Sequence, residues 1–255
     1  LLGSSGGIDS AVVQALASAA LGGENVHPVL MPSMFSSDHS VNDAETLSKN
    51  LGNETITLSI KNIYDQYLET LQPVFAGKAF NLAEENLQAR SRAVLLMAIS
   101  NKMGYILLNT SNKSELSVGY STLYGDLCGA LSVIGDVYKN QVYALARYIN
   151  RNSEIIPNNI IVKAPSAELR PGQKDSDSLP EYDVLDELLK HYIEERKGVE
   201  ELITMGYETA VVNKVVALVN GSEYKRYQAP PILRVSAKAF GKGRIMPLVA
   251  KYISR

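Results

Sequence analysis

Residues 5–10 read Ser-Gly-Gly-Ile-Asp-Ser, between a short apolar start, Leu1-Leu2-Gly3, and an Ala-rich stretch. A strand that turns through paired glycines into a helix presents successive backbone N–H groups at the positive helix terminus, and so cradles an anion. Gly6 and Gly7 let a phosphate chain approach closely and take positive φ. Ser5 and Ser10 add hydroxyl donors, and Asp9 is a carboxylate placed to hold Mg²⁺ beside phosphates. The chain is thus constrained from its first residues to an α/β unit with a phosphate ligand.

Apolar runs alternate with amphipathic stretches through the first 150 residues, which predicts βαβ units around a parallel sheet. Helices are expected over Ser10–Leu21, Ser40–Leu51, Lys61–Leu71 and Leu82–Met103, and strands over Val26–Met31, Thr55–Ile60 and Tyr105–Leu108. Asn109–Ser117 reads as a polar loop at the carboxyl end of a strand, where open α/β sheets place ligands. A helix-rich part follows, over Tyr138–Ile149, Tyr182–Glu195, Val199–Met205 and Glu208–Asn220. The fold class is α/β, a doubly wound parallel sheet flanked by helices, with a helical C-terminal part.

Other classes are excluded by what the 255 residues lack. One cysteine, Cys128, rules out a disulfide framework or a Cys-rich zinc site and fits a reducing compartment; it reads as a core thiol. A formal charge of -2 argues against a dedicated nucleic-acid binder. No apolar run reaches the ~18 residues that span a bilayer, and no secretory signal is present, so a cytoplasmic location is expected. Charge is uneven, however: Tyr224–Arg255 carries eight basic residues and no acidic one. No G-x-x-x-x-G-K-[S/T] occurs, and no G-x-G-x-x-G follows a strand. Gly3-Ser4-Ser5-Gly6-Gly7 also fits a G-x-S-x-G nucleophile elbow, but the histidine that mechanism needs finds a poor candidate in His191, within an amphipathic helix.

The turn resembles the pyrophosphate loop of the N-type ATP pyrophosphatases, which cleave ATP between the α and β phosphates to adenylate a substrate. Further stretches narrow the resemblance to NAD synthetases: Glu85–Arg90, Asn109–Glu115, Gly119–Asp126, Asp136–Lys139, Ala164–Pro171, Glu223–Arg226 and Lys238–Gly241. It runs over almost the whole length.

This resemblance implies an adenine nucleotide alpha hydrolase-like fold, with residues 1–255 as a single synthetase domain. It implies ATP-dependent amidation of deamido-NAD by ammonia through an adenylated carboxylate, with AMP and pyrophosphate released. ATP contacts carry over to Gly3, Ser4, Ser5, Gly6, Gly7, Ile8, Asp9, Ser10, Thr110, Lys139 and Ser166. Deamido-NAD contacts carry over to Asn86, Arg90, Glu115, Asp126 and Lys225. Asp9 and Glu115 would hold Mg²⁺, and with Lys139 they form the expected catalytic group. Ser166–Leu179 has the composition of a mobile lid. Leu123 and Tyr224 depart from ammonia-dependent members and look like the synthetase half of glutamine-dependent ones. The chain is accordingly expected to be a fragment lacking an N-terminal glutaminase domain, and family members commonly pair as homo-oligomers.

Two other readings stay open at this level. One keeps the fold but takes tRNA as substrate, on the strength of the basic tail. The other is a nucleotide-binding module without turnover.

Overall fold

The computed structural model describes residues 1–241 and 243–248. Lys242, Lys251 and Arg255 of the basic tail lie outside the described residues.

Five short parallel strands carry the architecture: β1 (Leu2–Gly3), β2 (Pro28–Leu30), β3 (Ile56–Thr57), β4 (Leu108–Asn109) and β5 (Leu131–Ser132). β1 pairs with β2 and β2 with β3, while β4 pairs with β5. Main-chain bonds at Leu1 join the two groups, since its amino group donates to the Ile106 carbonyl at 2.9 Å and its carbonyl accepts from the Leu108 N–H at 2.8 Å. The order across the molecule is therefore β3-β2-β1-β4-β5. The chain reverses its direction of travel between β1 and β4, the switch point at which a doubly wound sheet opens a crevice.

Alternation along the strands sends side chains to two cores. Leu2 packs with α1 (Ile8–Leu21), α2 (Asp38–Leu51), α6 (Lys139–Ile149) and α7 (Asn158–Val162), through Val12, Leu47, Val142 and Ile160. Leu1, Val29, Met31 and Leu107 face the other way, onto Leu96 of α4 (Leu82–Met103), against which α3 (Lys61–Phe75) packs. A third core joins α5 (Lys113–Val118), α8 (Tyr182–Leu189), α9 (Val199–Thr204) and α10 (Thr209–Gly221), and a short helix, α11 (Glu223–Arg226), follows.

The elements correct the sequence expectations at their edges. The strands are two or three residues long instead of four to six. Asn109–Ser117 is not a loop throughout. Asn112 caps α5, with its side chain accepting from the Glu115 N–H at 2.9 Å and Glu115 accepting from the Asn112 N–H at 3.4 Å. The helix expected over Tyr182–Glu195 ends as α-helix at Leu189 and continues as a π-helical turn, Lys190–Glu194. Among the described residues no helix is long and apolar enough to cross a membrane.

Candidate active site

The glycine turn follows β1 directly and leads into α1, whose N-cap, Gly7, makes no side-chain capping bond. Helix starts left open in this way face their N–H groups toward a ligand. Only Gly6 has positive φ, at 74°; Gly7 is extended at φ -94°, so the expectation of left-handed geometry holds for one glycine of the pair. A Cβ on Gly6 would lie 2.2 Å from the Ser40 carbonyl oxygen. Gly6→Ala should therefore cost roughly 1–3 kcal/mol of stability by strain and main-chain collision. It should also abolish the rise in melting temperature that ATP confers, which thermal denaturation with and without nucleotide measures.

The serines have distinct tasks. Ser4 is buried and donates to Gln14 Oε1 at 2.9 Å, away from the turn. Ser10 Oγ accepts from the Ser5 N–H at 3.2 Å and donates to the Gly7 carbonyl at 3.0 Å, so it shapes the turn from within. Ser5 is exposed, and its hydroxyl accepts from the Gly7 N–H at 3.2 Å. Ile8 is buried in the core beside α6, which leaves its main chain for a ligand. Gly3 faces Leu96 and Met31.

Beside the turn, three residues from the first turns of α1, α5 and α6 converge. Lys139 Nζ lies 2.5 Å from Asp9 Oδ2 and 3.3 Å from Glu115 Oε1. Asn112 Nδ2 donates to Asp9 Oδ1 at 2.8 Å, an orienting contact that sequence reasoning missed. The Asn112-Lys113-Ser114-Glu115 spacing carried the signal, as a cap with Glu three residues on. Lys139, taken alone, reads as a solvated lysine at a helix start; the structure buries it to 2% exposure. Burial, and after it the Asp9 carboxylate, push Glu115 well above the ordinary carboxylate range, with Lys139 pulling the other way. Burial pulls Lys139 down, yet Asp9 and Glu115 outweigh it and hold its ammonium more firmly than usual. Two carboxylates thus share one cation in a poorly solvated site.

The convergence opens into a cavity of about 300 Å³, with the turn, Thr110 and Lys139 along one side. Val29, Met31, Leu96 and Leu107 give it an apolar wall. Ser166 and Asp175 line it from the segment expected to be a lid. Glu168 anchors that segment by accepting from the Ser40 hydroxyl at 2.8 Å and the Ser37 hydroxyl at 3.2 Å, and by pairing with Lys163. The Leu169 carbonyl accepts from Gln88 Nε2 at 2.9 Å.

The four remaining sequence candidates gather around one loop, Gly119–Asp126. Asn86 Oδ1 accepts from the Thr122 hydroxyl at 2.8 Å and Arg90 Nε donates to the Leu123 carbonyl at 3.1 Å. Asp126 accepts from the Thr122 N–H at 2.7 Å, and Lys225 Nζ donates to the carbonyls of Gly119 and Ser121, each at 2.7 Å. Of these four, Asp126 also lines the cavity. Cys128, partly buried, has its thiol pushed up to about 11 by burial and then by Asp126, which makes it an unreactive wall residue. His191 pairs with Glu195 at 2.8 Å on α8's π-helical extension and is not among the residues that line the cavity with Ser5, and the nucleophile-elbow reading falls with it.

The family model described as NAD synthase matches residues 1–229. The chain belongs to the NAD synthase family. A relative of this NAD synthase family member, the "Glutamine-dependent NAD(+) synthetase" of Synechocystis, is 54% identical over 99% of the chain. The chain spans 45% of that protein's length. Among solved structures, the glutamine-dependent NAD+ synthetase of Acinetobacter baumannii in complex with ADP is 43% identical, with a TM-score of 0.63. That match covers 97% of this chain and 45% of the other. The NH3-dependent NAD synthetase of Campylobacter jejuni is 32% identical, with a TM-score of 0.70 over 91% of this chain and 88% of that one.

Proposed function

We propose that this unit amidates deamido-NAD to NAD, with ATP consumed to AMP and pyrophosphate. The observation that carries the reading is the convergence of Asp9, Glu115 and Lys139 beside an uncapped helix start. The glycine turn and the first N–H groups of α1 take the β and γ phosphates. Thr110 and Ser166 add ATP contacts from the cavity walls, and Lys139 faces the phosphate charge. The nicotinate carboxylate attacks the α-phosphorus, the bond to the bridging oxygen breaks, and pyrophosphate leaves. Ammonia then attacks the acyl carbon, AMP departs with the anhydride oxygen, and a proton is lost as the amide forms. The segment holding Ser166 and Asp175 keeps water from the anhydride.

Asp9 and Glu115 fit a Mg²⁺ ion. Both are hard oxygen donors in contact with one ammonium, so two carboxylates share a single cation. Among the described residues no group of three or more His, Cys, Asp or Glu could hold a metal, so phosphate oxygens and water would complete the shell. Such an ion would offset charge on the leaving pyrophosphate.

Deamido-NAD is read as lying against the loop that Asn86, Arg90, Asp126 and Lys225 fasten, with Glu115 between the two substrates. In the full-length protein, ammonia would come from glutamine through a glutaminase domain. The length and name of the Synechocystis relative support this. A single synthetase domain, working as a homo-oligomer in the cytoplasm, completes the reading. Incubation with ATP, Mg²⁺, deamido-NAD and ammonium should give AMP, pyrophosphate and NAD in equal amounts. ADP as the product would overturn it.

A further inference from the structure

Three cations line the cavity among its described residues, and two of them are already paired. Lys139 contacts Asp9 and Glu115, and Lys163 pairs with Glu168. The third, Arg92 on α4, has no carboxylate within ion-pair distance among the described residues. Its one hydrogen bond among the described residues is from Nε to the Met31 carbonyl, at 3.1 Å. That bond holds the guanidinium at the end of β2, and neither terminal nitrogen makes a hydrogen bond among the described residues. Ala89 and Ala93, on either side of it along the helix, keep the wall open. Burial depresses Arg92 to about 10, with Glu168 opposing, as expected of a cation drawn out of water without a close counter-charge.

The position of Arg92 decides which part of a nucleotide it meets. Phosphates belong at the polar end, on the turn. The apolar part of the lining, Val29, Met31, Leu96 and Leu107, suits the base, and the Met31 carbonyl holds Arg92 beside it. A planar guanidinium stacks on aromatic rings, which an ammonium does poorly. We propose that Arg92 is a nucleotide-binding residue that lays its guanidinium against the purine of ATP. The inference rests on the proposed function and goes beyond it by naming the side chain that holds the base.

The test compares a ligand that has the base with one that does not. Calorimetric titration of the wild-type chain, Arg92→Met and Arg92→Lys would use ATP and inorganic pyrophosphate, each with Mg²⁺. Arg92→Met should weaken ATP binding roughly tenfold, the scale of one desolvated cation–π contact, and leave pyrophosphate binding within about twofold. Arg92→Lys should fall between wild type and Arg92→Met for ATP. Retained pyrophosphate binding certifies that the turn is folded in each variant. Equal loss of both ligands would mean that Arg92 only braces the end of β2, and unchanged ATP affinity in Arg92→Met would equally overturn the proposal. A wild-type chain that binds no ATP would instead refute the function on which the proposal stands.

Discussion

Asp9→Asn should lower kcat/KM for ATP by on the order of 10²–10³, the range seen when one preorganised charge-stabilising group is removed from an active site. The affinity for deamido-NAD should change little. The substitution keeps the shape of the side chain, and the amide oxygen can still accept from Asn112 Nδ2, which now lies 2.8 Å from Asp9 Oδ1. What it removes is charge. Lys139, now 2.5 Å from Asp9, would retain only Glu115 at 3.3 Å as a partner. Glu115 would lose the like charge that helps to raise it and move back toward the ordinary carboxylate range. A Mg²⁺ ion would have one carboxylate where the proposed site has two. Initial rates over a matrix of Mg·ATP and deamido-NAD concentrations, with a direct titration of deamido-NAD, separate the two effects. Matching losses for both substrates would remove Asp9 from the metal and place its role in the fold.

The part of this site that was legible in the sequence is the part that depends on local chemistry. The turn at residues 5–10 announces itself because two glycines, a carboxylate and a helix start fall within six residues, and the helices α1, α2 and α4 follow from their stops at Gly22, Gly52 and Gly104. Lys139 and Glu115 were reached through resemblance, and only the strand order explains why they meet Asp9: β4 lies beside β1 and β5 beside β4. No window of sequence contains that adjacency. The same holds for Asn86, Arg90 and Lys225, which are separated by up to 139 positions and are tied to one loop, Asn86 through the Thr122 hydroxyl and the other two through main-chain carbonyls. Main-chain acceptors carry no residue-type signal, so such contacts leave little trace in a sequence. Arg92 is hidden for a related reason. At helical spacing it looks like one more polar residue on α4, and only the fold shows its side chain bonded to a strand-end carbonyl instead of solvated.

Lys113→Met should destabilise the fold by about 3–5 kcal/mol, the cost of removing one partner from a buried ionic cluster. At roughly 2–4 °C per kcal/mol for a chain of this size, that is a fall in melting temperature of about 10 °C. Lys113 is fully buried, with Nζ 2.9 Å from Asp136 Oδ1, 2.7 Å from Glu194 Oε1 and 2.8 Å from Ser236 Oγ, and 4.7 Å from the centre of the Tyr138 ring. Methionine fills the space of the stem but leaves two carboxylates without their cation. Burial works against ionisation of Asp136, yet Lys113 and the N–H groups of Ser236 and Val235 outweigh it and hold the carboxyl below its ordinary value. A carboxyl depressed in the folded state contributes stability above its unfolded pKa and loses it as pH falls through the folded one. The gap between wild type and variant should accordingly be widest near pH 7 and narrow in acid, where protonated Asp136 no longer needs the lysine. Denaturant unfolding at neutral and acidic pH measures both quantities, and a gap that is constant with pH would show that lost packing, not stranded charge, sets the cost. Activity should fall along with stability, because Lys113 opens α5 and stands between the Asn112 that orients Asp9 and the Glu115 that shares its cation. The buried cluster ties that helix start to the π-helical turn at Glu194 and to the 235–236 segment, so the carboxylate of the proposed site, Glu115, sits on a helix held in part by a contact more than a hundred residues away.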